Sequence, residues 1–169
     1  MEETIKTAVV TVSTRCSRGE AEDTSGPALC GLLKQRGYGI VRYSVVGDDR
    51  AAIGKELIDL SDRTDAAVVF TLGGTGLAPD DVTPEATEDV IERRIPGIPE
   101  ALRAAGLMIT PRAMLSRGTA GIRNNTIIIN MPGSEKAVTE NAGTIFPVIE
   151  HAVALVLGKV GDCGRSTDD

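Results

Sequence analysis

The chain has 169 residues, of which 41% are hydrophobic, so it is long enough to form one domain with a buried core. Its formal net charge of −6 argues against broad binding to nucleic acid or to anionic membranes, because both need a basic face. No apolar run reaches the roughly 18 residues of a membrane span, and the first residues lack the features of a signal peptide, so we expect a cytoplasmic protein.

Short apolar runs rich in β-branched residues predict strands that are buried on both faces of a sheet. They are Ala8–Val12, Ile40–Val46 and Ala66–Leu72. Between the first two, Ser25-Gly26-Pro27 predicts the start of a helix and Gly37 its end. Between the last two, Ala51–Arg63 has apolar residues at helical spacing and predicts a second helix.

Thr83-Pro84 predicts the next helix, with Thr83 as its cap, Pro84 in its first turn and Glu85 at the positive end of its dipole. The prolines between Pro96 and Leu115 predict helix pieces with breaks. Asn124-Asn125 lies between two short apolar runs, 119–123 and 126–131, and predicts a hairpin because asparagine tolerates a positive φ.

After Pro132-Gly133-Ser134, the pattern predicts two helical segments that end near Lys159 and are divided near Pro147. Strands alternating with helices predict the α/β class, with helices on both faces of a mainly parallel sheet that contains one antiparallel hairpin strand. We expect a single domain over residues 1–160 and a disordered tail over residues 161–169.

The three cysteines, Cys16, Cys30 and Cys163, are widely spaced and form no Cys-x-x-Cys pair, which indicates reduced thiols. A catalytic cysteine usually has a histidine base. The only histidine, His151, lies in an apolar segment near the C-terminus, and we interpret it as a packing or surface residue.

Small, polar or acidic residues follow each of four predicted strands. These strand ends are Ser13-Thr14-Arg15, Gly47-Asp48-Asp49, Gly73-Gly74-Thr75-Gly76 and Asn130-Met131-Pro132-Gly133-Ser134. Because ligands of open parallel sheets bind at the carboxyl ends of the strands, these four loops predict one shared crevice.

The glycine loop 73–76 can present several backbone N–H groups to an anion. It matches neither the Walker A pattern nor the dinucleotide fingerprint, and by spacing alone a tight structural turn remains an equal alternative. Pro132-Gly133-Ser134 is a second candidate anion seat, at the start of a helix.

Three acids, Asp80, Asp81 and Glu85, follow the glycine loop and would repel a phosphate unless a cation lies between them. Asp81 and Asp48 could together hold Mg²⁺, which favours one or two carboxylates plus phosphates and water. The alternative is that Asp80 and Asp81 are solvated loop acids that cap the following helix.

Three motifs, "EDTSGP", "GGTGLAPDDVTPEAT" and "MLSRGTAGIRNNTIIINMPGS", occur in order along the chain. Because of these motifs, the chain resembles the molybdenum-cofactor biosynthesis family from about residue 5 to residue 157. This family includes the bacterial MogA and MoaB proteins and the G domain of gephyrin. The resemblance implies a homotrimer that adenylylates molybdopterin with ATP and Mg²⁺, releasing pyrophosphate, and a possible partner protein that inserts molybdate.

The resemblance implies that Asp48 and Asp81 are the catalytic and metal-binding carboxylates. Together with the strand-end loops, it gives the predicted substrate- and nucleotide-binding residues: Ser13, Gly73, Gly74, Thr75, Gly76, Thr83, Ser116, Arg117, Asn130, Pro132, Gly133 and Ser134. The attacking phosphate is already ionised, so the reaction needs no strong general base. Candidates for an additional cation are Arg15, Arg112, Arg117, Arg123 and Lys136, any of which can equally be a solvated surface charge.

The chain departs from the family pattern at two positions, Thr14, where an acid is frequent, and Asp80, where a basic residue is frequent. Two functions other than the transferase stay open at this point. One is a catalytically silent molybdopterin-binding protein of the MoaB branch, and the other is a nucleotide pyrophosphatase. The intact Asp81-Val82-Thr83-Pro84 together with Asp48 favours the active enzyme.

Overall fold

The computed structural model describes residues 4–159, which form one six-stranded sheet with helices on both faces. The strands are β1 (Lys6–Val12), β2 (Gly39–Val46), β3 (Val68–Leu72), β4 (Arg93–Arg94), β5 (Ala120–Arg123) and β6 (Thr126–Met131). The helices are α1 (Thr14–Ser17), α2 (Ser25–Gln35), α3 (Arg50–Arg63), α4 (Thr83–Glu88), α5 (Gly97–Leu107) and α6 (Glu135–Val156), and a 3-10 helix covers Pro111–Leu115. The predicted tail and Cys163 lie outside the described residues.

The strand order is β2-β1-β3-β6-β5-β4. The first four strands are parallel, whereas β5 runs antiparallel to β6 and β4 runs antiparallel to β5. The predicted α/β class, with a mainly parallel sheet and an antiparallel hairpin strand, is confirmed. Strand β4 was not predicted because it is only two residues long and both of them, Arg93 and Arg94, are exposed.

Both faces of the central strands are buried under helices. On one face, Val9 and Phe70 pack with α2, α5 and α6. On the other, Val10 packs with Leu57 of α3 and Ala86 of α4. Because alternate side chains point to opposite faces and both faces are covered, these strands are continuous apolar runs, which is the pattern that predicted them.

The hairpin at Asn124-Asn125 is confirmed. Arg123 pairs with Thr126 across the turn, and Asn124 has a φ of 50°. Asparagine adopts this left-handed conformation more readily than most residues, because its short polar side chain can bond locally.

Helix α6 is continuous through Pro147, so the prediction of two helical segments is wrong. A proline inside a helix removes the hydrogen bond to the carbonyl four residues earlier, which here belongs to Gly143. Both residues are exposed, so water can pair with the freed carbonyl. The opposite, buried side of α6 includes Ala142, Ile145 and Ile149, and its packing holds the helix together.

Three predictions made from composition concern membrane-spanning helices, the state of the cysteines and the position of the histidine. None of the helices within residues 4–159 combines the length and the apolar character needed to cross a bilayer. Cys16 and Cys30 are free cysteines, as predicted. His151 is exposed on α6, which confirms the surface alternative for this residue.

Candidate active site

The strand order reverses beside β1, since the chain passes from β1 to β2 on one side and returns to β3 on the other. Loops that diverge at such a switch point leave a crevice between them. The loop after β3 packs against the end of β1, because a Cβ atom at Gly73 would lie 2.6 Å from the Val12 carbonyl oxygen. A Cβ atom at Gly133 would lie 3.1 Å from Gly73 Cα, so the loop after β6 joins them.

The loop after β2, which contains Asp48, is attached to the end of β1 through hydrogen bonds between Asp48 and Thr14. The Thr14 backbone N–H and hydroxyl donate to Asp48 Oδ2 at 2.7 and 2.8 Å, and the Asp48 N–H donates to Thr14 Oγ1 at 2.9 Å. Ser13 caps α1 by accepting a hydrogen bond from the Cys16 N–H at 3.2 Å. Thr14, one of the two departures from the family pattern, therefore fixes the position of Asp48.

The glycine loop needs glycine for both conformation and space. Gly73 and Gly74 have φ values of 101° and 66°, which L side chains rarely adopt. A Cβ atom at Gly74 would lie 2.2 Å from Thr83 Oγ1. Thr83 is fully buried, and its N–H donates to the Gly74 carbonyl at 3.1 Å.

The prediction that Thr83 caps the following helix is wrong. Thr83 is the first residue of α4, and the N-cap position is Val82, which makes no side-chain hydrogen bond. The side chain of Thr83 is held under Gly74 and cannot turn toward the helix end.

Substituting Gly74 with alanine is expected to lower the free energy of unfolding by about 2 kcal/mol, through a strained φ and contact with Thr83. Adding Thr83→Ala should recover part of the loss, because it removes the hydroxyl that a Cβ atom at Gly74 would meet. Urea unfolding measures both effects. Gly31→Ala in α2 is a matched control, since its Cβ atom would meet nothing within 4 Å. Equal stability of the Gly74→Ala and Gly31→Ala variants would contradict the packing described here.

Asp81 is fixed against the glycine loop. Its Oδ2 accepts a hydrogen bond from the Ala78 N–H at 2.9 Å, and its own N–H donates to the Ala78 carbonyl at 3.0 Å. A Cβ atom at Gly76 would lie 2.7 Å from Asp81 Oδ2. Asp80 is exposed. Neither acid caps α4, so that part of the alternative is wrong, whereas Asp80 is a solvated loop acid as the alternative had it.

Arg117 is the cation that faces the third acid, Glu85. The two side chains form an ion pair, and each is a little over one third exposed. The hydrogen bond from Arg117 lowers the pKa of Glu85, and the pKa of Arg117 is raised by the same contact. The negative charge of Glu85 is therefore balanced by a cation within the protein.

The other candidate cations differ in their placement. Arg123 pairs with Asp62 of α3 at 2.7 Å, next to the hairpin turn at the opposite edge of the sheet from the crevice, so this candidate is wrong. The Lys136 side chain is 80% exposed. Arg15 and Arg112 are exposed, and neither is in an ion pair within residues 4–159.

Asn130 is buried and fully used inside the protein. Its Nδ2 donates to Thr71 Oγ1 and Thr87 Oγ1, both at 2.9 Å. Its Oδ1 accepts from the Thr119 N–H at 3.1 Å. The side chain thus joins β3, α4 and the start of β5.

Two predicted serines are also engaged locally. Ser134 Oγ accepts a hydrogen bond from the Ala137 N–H at 3.3 Å and so caps α6. Ser116 Oγ accepts from the Gly118 N–H at 3.3 Å. These contacts set the shape of the two loops that border the crevice on the β6 side.

Asp48 and Asp81 have oxygen ligands of the kind that magnesium prefers. In the described part of the chain, no group of three or more His, Cys, Asp or Glu side chains is arranged to hold a metal by itself. Asp48 follows β2 and Asp81 follows β3, the two strands on either side of β1, and each carboxylate uses Oδ2 in the hydrogen bonds described above. Magnesium binds through one or two carboxylates with substrate phosphates and water, so the chemistry of these two side chains suits that ion without a third protein carboxylate.

A family model described as "Probable molybdopterin binding domain" matches residues 8–151. The chain belongs to this family. The molybdopterin adenylyltransferase of Helicobacter pylori is 42% identical to it over 158 residues, which cover 92% of this chain and 90% of that protein. The molybdopterin adenylyltransferase of Escherichia coli (strain K12) is 36% identical over 139 residues, which cover 81% of this chain and 71% of that protein. The crystal structure of MoaB from Thermus thermophilus has a TM-score of 0.87 and 41% identity, with 92% and 98% of the two chains covered.

Next to the crevice, this family member has a cavity of about 300 Å³ between the glycine loop, α5, the 3-10 helix and α6. Predicted site residues line part of it: Thr75, Gly76, Ser116, Asn130 and Pro132. Apolar walls come from Leu102, Ile109 and Leu115. Among the described residues, no aromatic side chain lines the cavity, so a ring bound here would contact aliphatic groups.

Arg103 also borders the cavity and was not predicted. Its Nη1 donates to the Gly118 carbonyl at 3.0 Å and to the Ser116 carbonyl at 3.4 Å. These contacts fix the loop that contains Ser116 and Arg117. Nothing in the local sequence of α5 distinguishes Arg103 from a solvated helix arginine, because its partners lie 13 and 15 residues further along the chain.

Proposed function

We propose that the chain is a molybdopterin adenylyltransferase, which transfers AMP from ATP to the terminal phosphate of molybdopterin and releases pyrophosphate. The observations that support this most directly are the packing of Asp81 against Gly76 of the glycine loop and the attachment of Asp48 to Thr14, which follows β1 at the strand-order switch point. The identity to adenylyltransferases over most of the chain supports the same reaction.

The reaction forms a bond between an oxygen of the pterin phosphate and the α-phosphorus of ATP. The bond from that phosphorus to the oxygen bridging it to the β-phosphate breaks, and pyrophosphate leaves with the electron pair. The nucleophile is an ionised phosphate, so the chain has to align the two substrates and balance their charge rather than remove a proton.

We assign the metal to Asp48 and Asp81. Bound Mg²⁺ would neutralise phosphate charge at the α-phosphorus, an effect of several kcal/mol. We assign the phosphates to the backbone of Gly73–Gly76 with Pro132 and Gly133. Ser13, Thr83, Asn130 and Ser134 hold the loops in shape. The aliphatic cavity is suited to one of the two flat rings, pterin or adenine.

The proposal includes a cytoplasmic homotrimer, with a separate partner protein that inserts molybdate into the adenylylated product. Exposed apolar side chains cluster at the end of α5 and in the 3-10 helix, among them Met108, Ile109 and Met114. Several large apolar side chains exposed in one part of the chain are typical of a subunit interface.

The wild-type chain is expected to form adenylyl-molybdopterin when incubated with ATP, Mg²⁺ and molybdopterin, and to release one pyrophosphate for each product molecule. Chromatography of the pterin product and a pyrophosphate assay measure the two yields. The reaction without molybdopterin is the control. Binding of molybdopterin without any product would identify a silent binding protein instead, and ATP hydrolysis that needs no molybdopterin would identify a pyrophosphatase.

A further inference from the structure

Arg117 contacts both ends of the loop that carries Asp81. Its backbone N–H donates to the Thr75 carbonyl at 2.8 Å, and its Nε donates to the Gly76 carbonyl at 2.7 Å. Its Nη2 donates to the carbonyl of Asp81 itself. Arg117 therefore links the two ends of the segment from Thr75 to Asp81 through hydrogen bonds.

Glu85 orients the guanidinium that makes these contacts. It pairs with Arg117 Nη1, and its Oε2 accepts from Nη2 at 3.4 Å. The guanidinium thus lies between one carboxylate and two backbone carbonyls, all of which are hydrogen-bond acceptors. Its charge is matched by Glu85, and its Nε and Nη2 donate to carbonyls of the loop.

These contacts separate two roles for Arg117. A cation that grips phosphate needs its charge exposed and its donors free, and an acid beside it would weaken that grip. A residue that shapes the loop needs the fork of donors and an acid to orient it. The structure has the second arrangement.

We propose that Arg117, oriented by Glu85, is a positioning residue that sets the place of the Asp81 carboxylate. The inference rests on the proposed function, in which Asp81 is the catalytic carboxylate. With Arg117 in place, the Asp81 carbonyl is drawn toward Gly76, and its carboxylate stays beside Gly76 and the Ala78 N–H. Lysine cannot replace arginine here, because a single ammonium cannot span the Gly76 carbonyl, the Asp81 carbonyl and Glu85 together.

The test uses Arg117→Lys and Glu85→Gln, with Asp59→Asn as the matched control. Asp59 forms a comparable ion pair with Arg42 at 2.6 Å, between α3 and the outer strand β2. Two measurements are made on each full-length variant: steady-state adenylylation, and amide hydrogen exchange of residues 75–82. Thermal unfolding confirms that each variant is folded.

Both test variants are expected to exchange the loop amides faster than the wild type and to lose about 10- to 100-fold in kcat, as outer-shell partners of a catalytic ligand typically do. The KM for ATP should change much less than kcat, and the Asp59→Asn variant should match the wild type. The two roles predict opposite results for Glu85→Gln, since freeing the charge of Arg117 would lower the KM for ATP if this arginine gripped phosphate.

Unchanged exchange of the loop in both variants would overturn the proposal, as would a Glu85→Gln variant with a lower KM for ATP and an undiminished kcat. If the wild type itself formed no adenylyl-molybdopterin, the proposed function would fail. The exchange measurement would still decide whether Arg117 and Glu85 hold the loop, so the two failures remain distinguishable.

Discussion

Replacing Asp81 with asparagine is expected to reduce adenylyl transfer by about 10²- to 10³-fold while leaving the fold and molybdopterin binding intact. The amide oxygen of asparagine can still accept the hydrogen bond from the Ala78 N–H, so the turn is preserved. The negative charge that would hold the metal at the phosphates is lost. An effect of several kcal/mol on the transition state corresponds to a loss of this size.

Asp80→Asn is the matched control for this variant. It removes the same charge from the adjacent residue, which is exposed and borders the same loop. We expect it to keep activity close to that of the wild type, because general charge at the loop is not what the reaction requires. Product formation, molybdopterin binding and the Mg²⁺ concentration for half-maximal activity are measured for both. Similar activities of the two variants would remove Asp81 from the proposed catalytic role.

The central strands and the crevice could be predicted because their causes are local in sequence. A strand buried on both faces must be apolar throughout, so residues 8–12 and 66–72 were recognisable without any tertiary information. The parallel order then brings the carboxyl ends of these strands to one edge. The contact of Gly73 with both Val12 and Gly133 follows from that order.

The functions of individual polar side chains at the crevice could not be predicted, because their partners are distant in sequence. Glu85 and Arg117 are 32 residues apart, and the local sequence shows only a helix-start acid and a loop arginine. Asn130 resembled a ligand contact because it begins the Asn-x-Pro-Gly segment. Its side-chain partners within the protein include Thr71 and Thr87, which are 59 and 43 residues away.

Pro147 is a case in which a prediction from local sequence was wrong, because tertiary packing outweighed the local preference. Proline disfavours a helix interior by about 3 kcal/mol, which predicted a break. Here the lost hydrogen bond lies on the solvent-exposed side of α6. The buried side of the helix packs several large apolar residues against the sheet. Tertiary packing therefore decided the length of this helix.

Substituting Asn130 with leucine is expected to lower the free energy of unfolding by about 4 kcal/mol and the Tm by roughly 10 °C. Leucine branches at the same carbon as asparagine, so the change removes the hydrogen bonds while it keeps the shape of the side chain, although the two methyl groups are bulkier than the amide. The Thr119 N–H and the Thr71 hydroxyl would lose their partner in a buried site. Urea and thermal unfolding measure the loss, and Asn125→Ala, in the exposed hairpin turn, is the control for a neutral asparagine substitution.

A second substitution distinguishes lost hydrogen bonds from a simple misfit of leucine. In the Asn130→Leu/Thr71→Val variant, both residues of the hydrogen bond between positions 130 and 71 are apolar. Replacing both partners of a buried hydrogen bond costs much less stability than leaving one of them without a partner. We therefore expect the double variant to regain at least about 1 kcal/mol relative to Asn130→Leu. If Thr71→Val only added to the loss, steric misfit would explain the effect. A regain would establish that Asn130 stabilises the crevice from within, by joining β3 and α4 beneath the loop that carries Asp81.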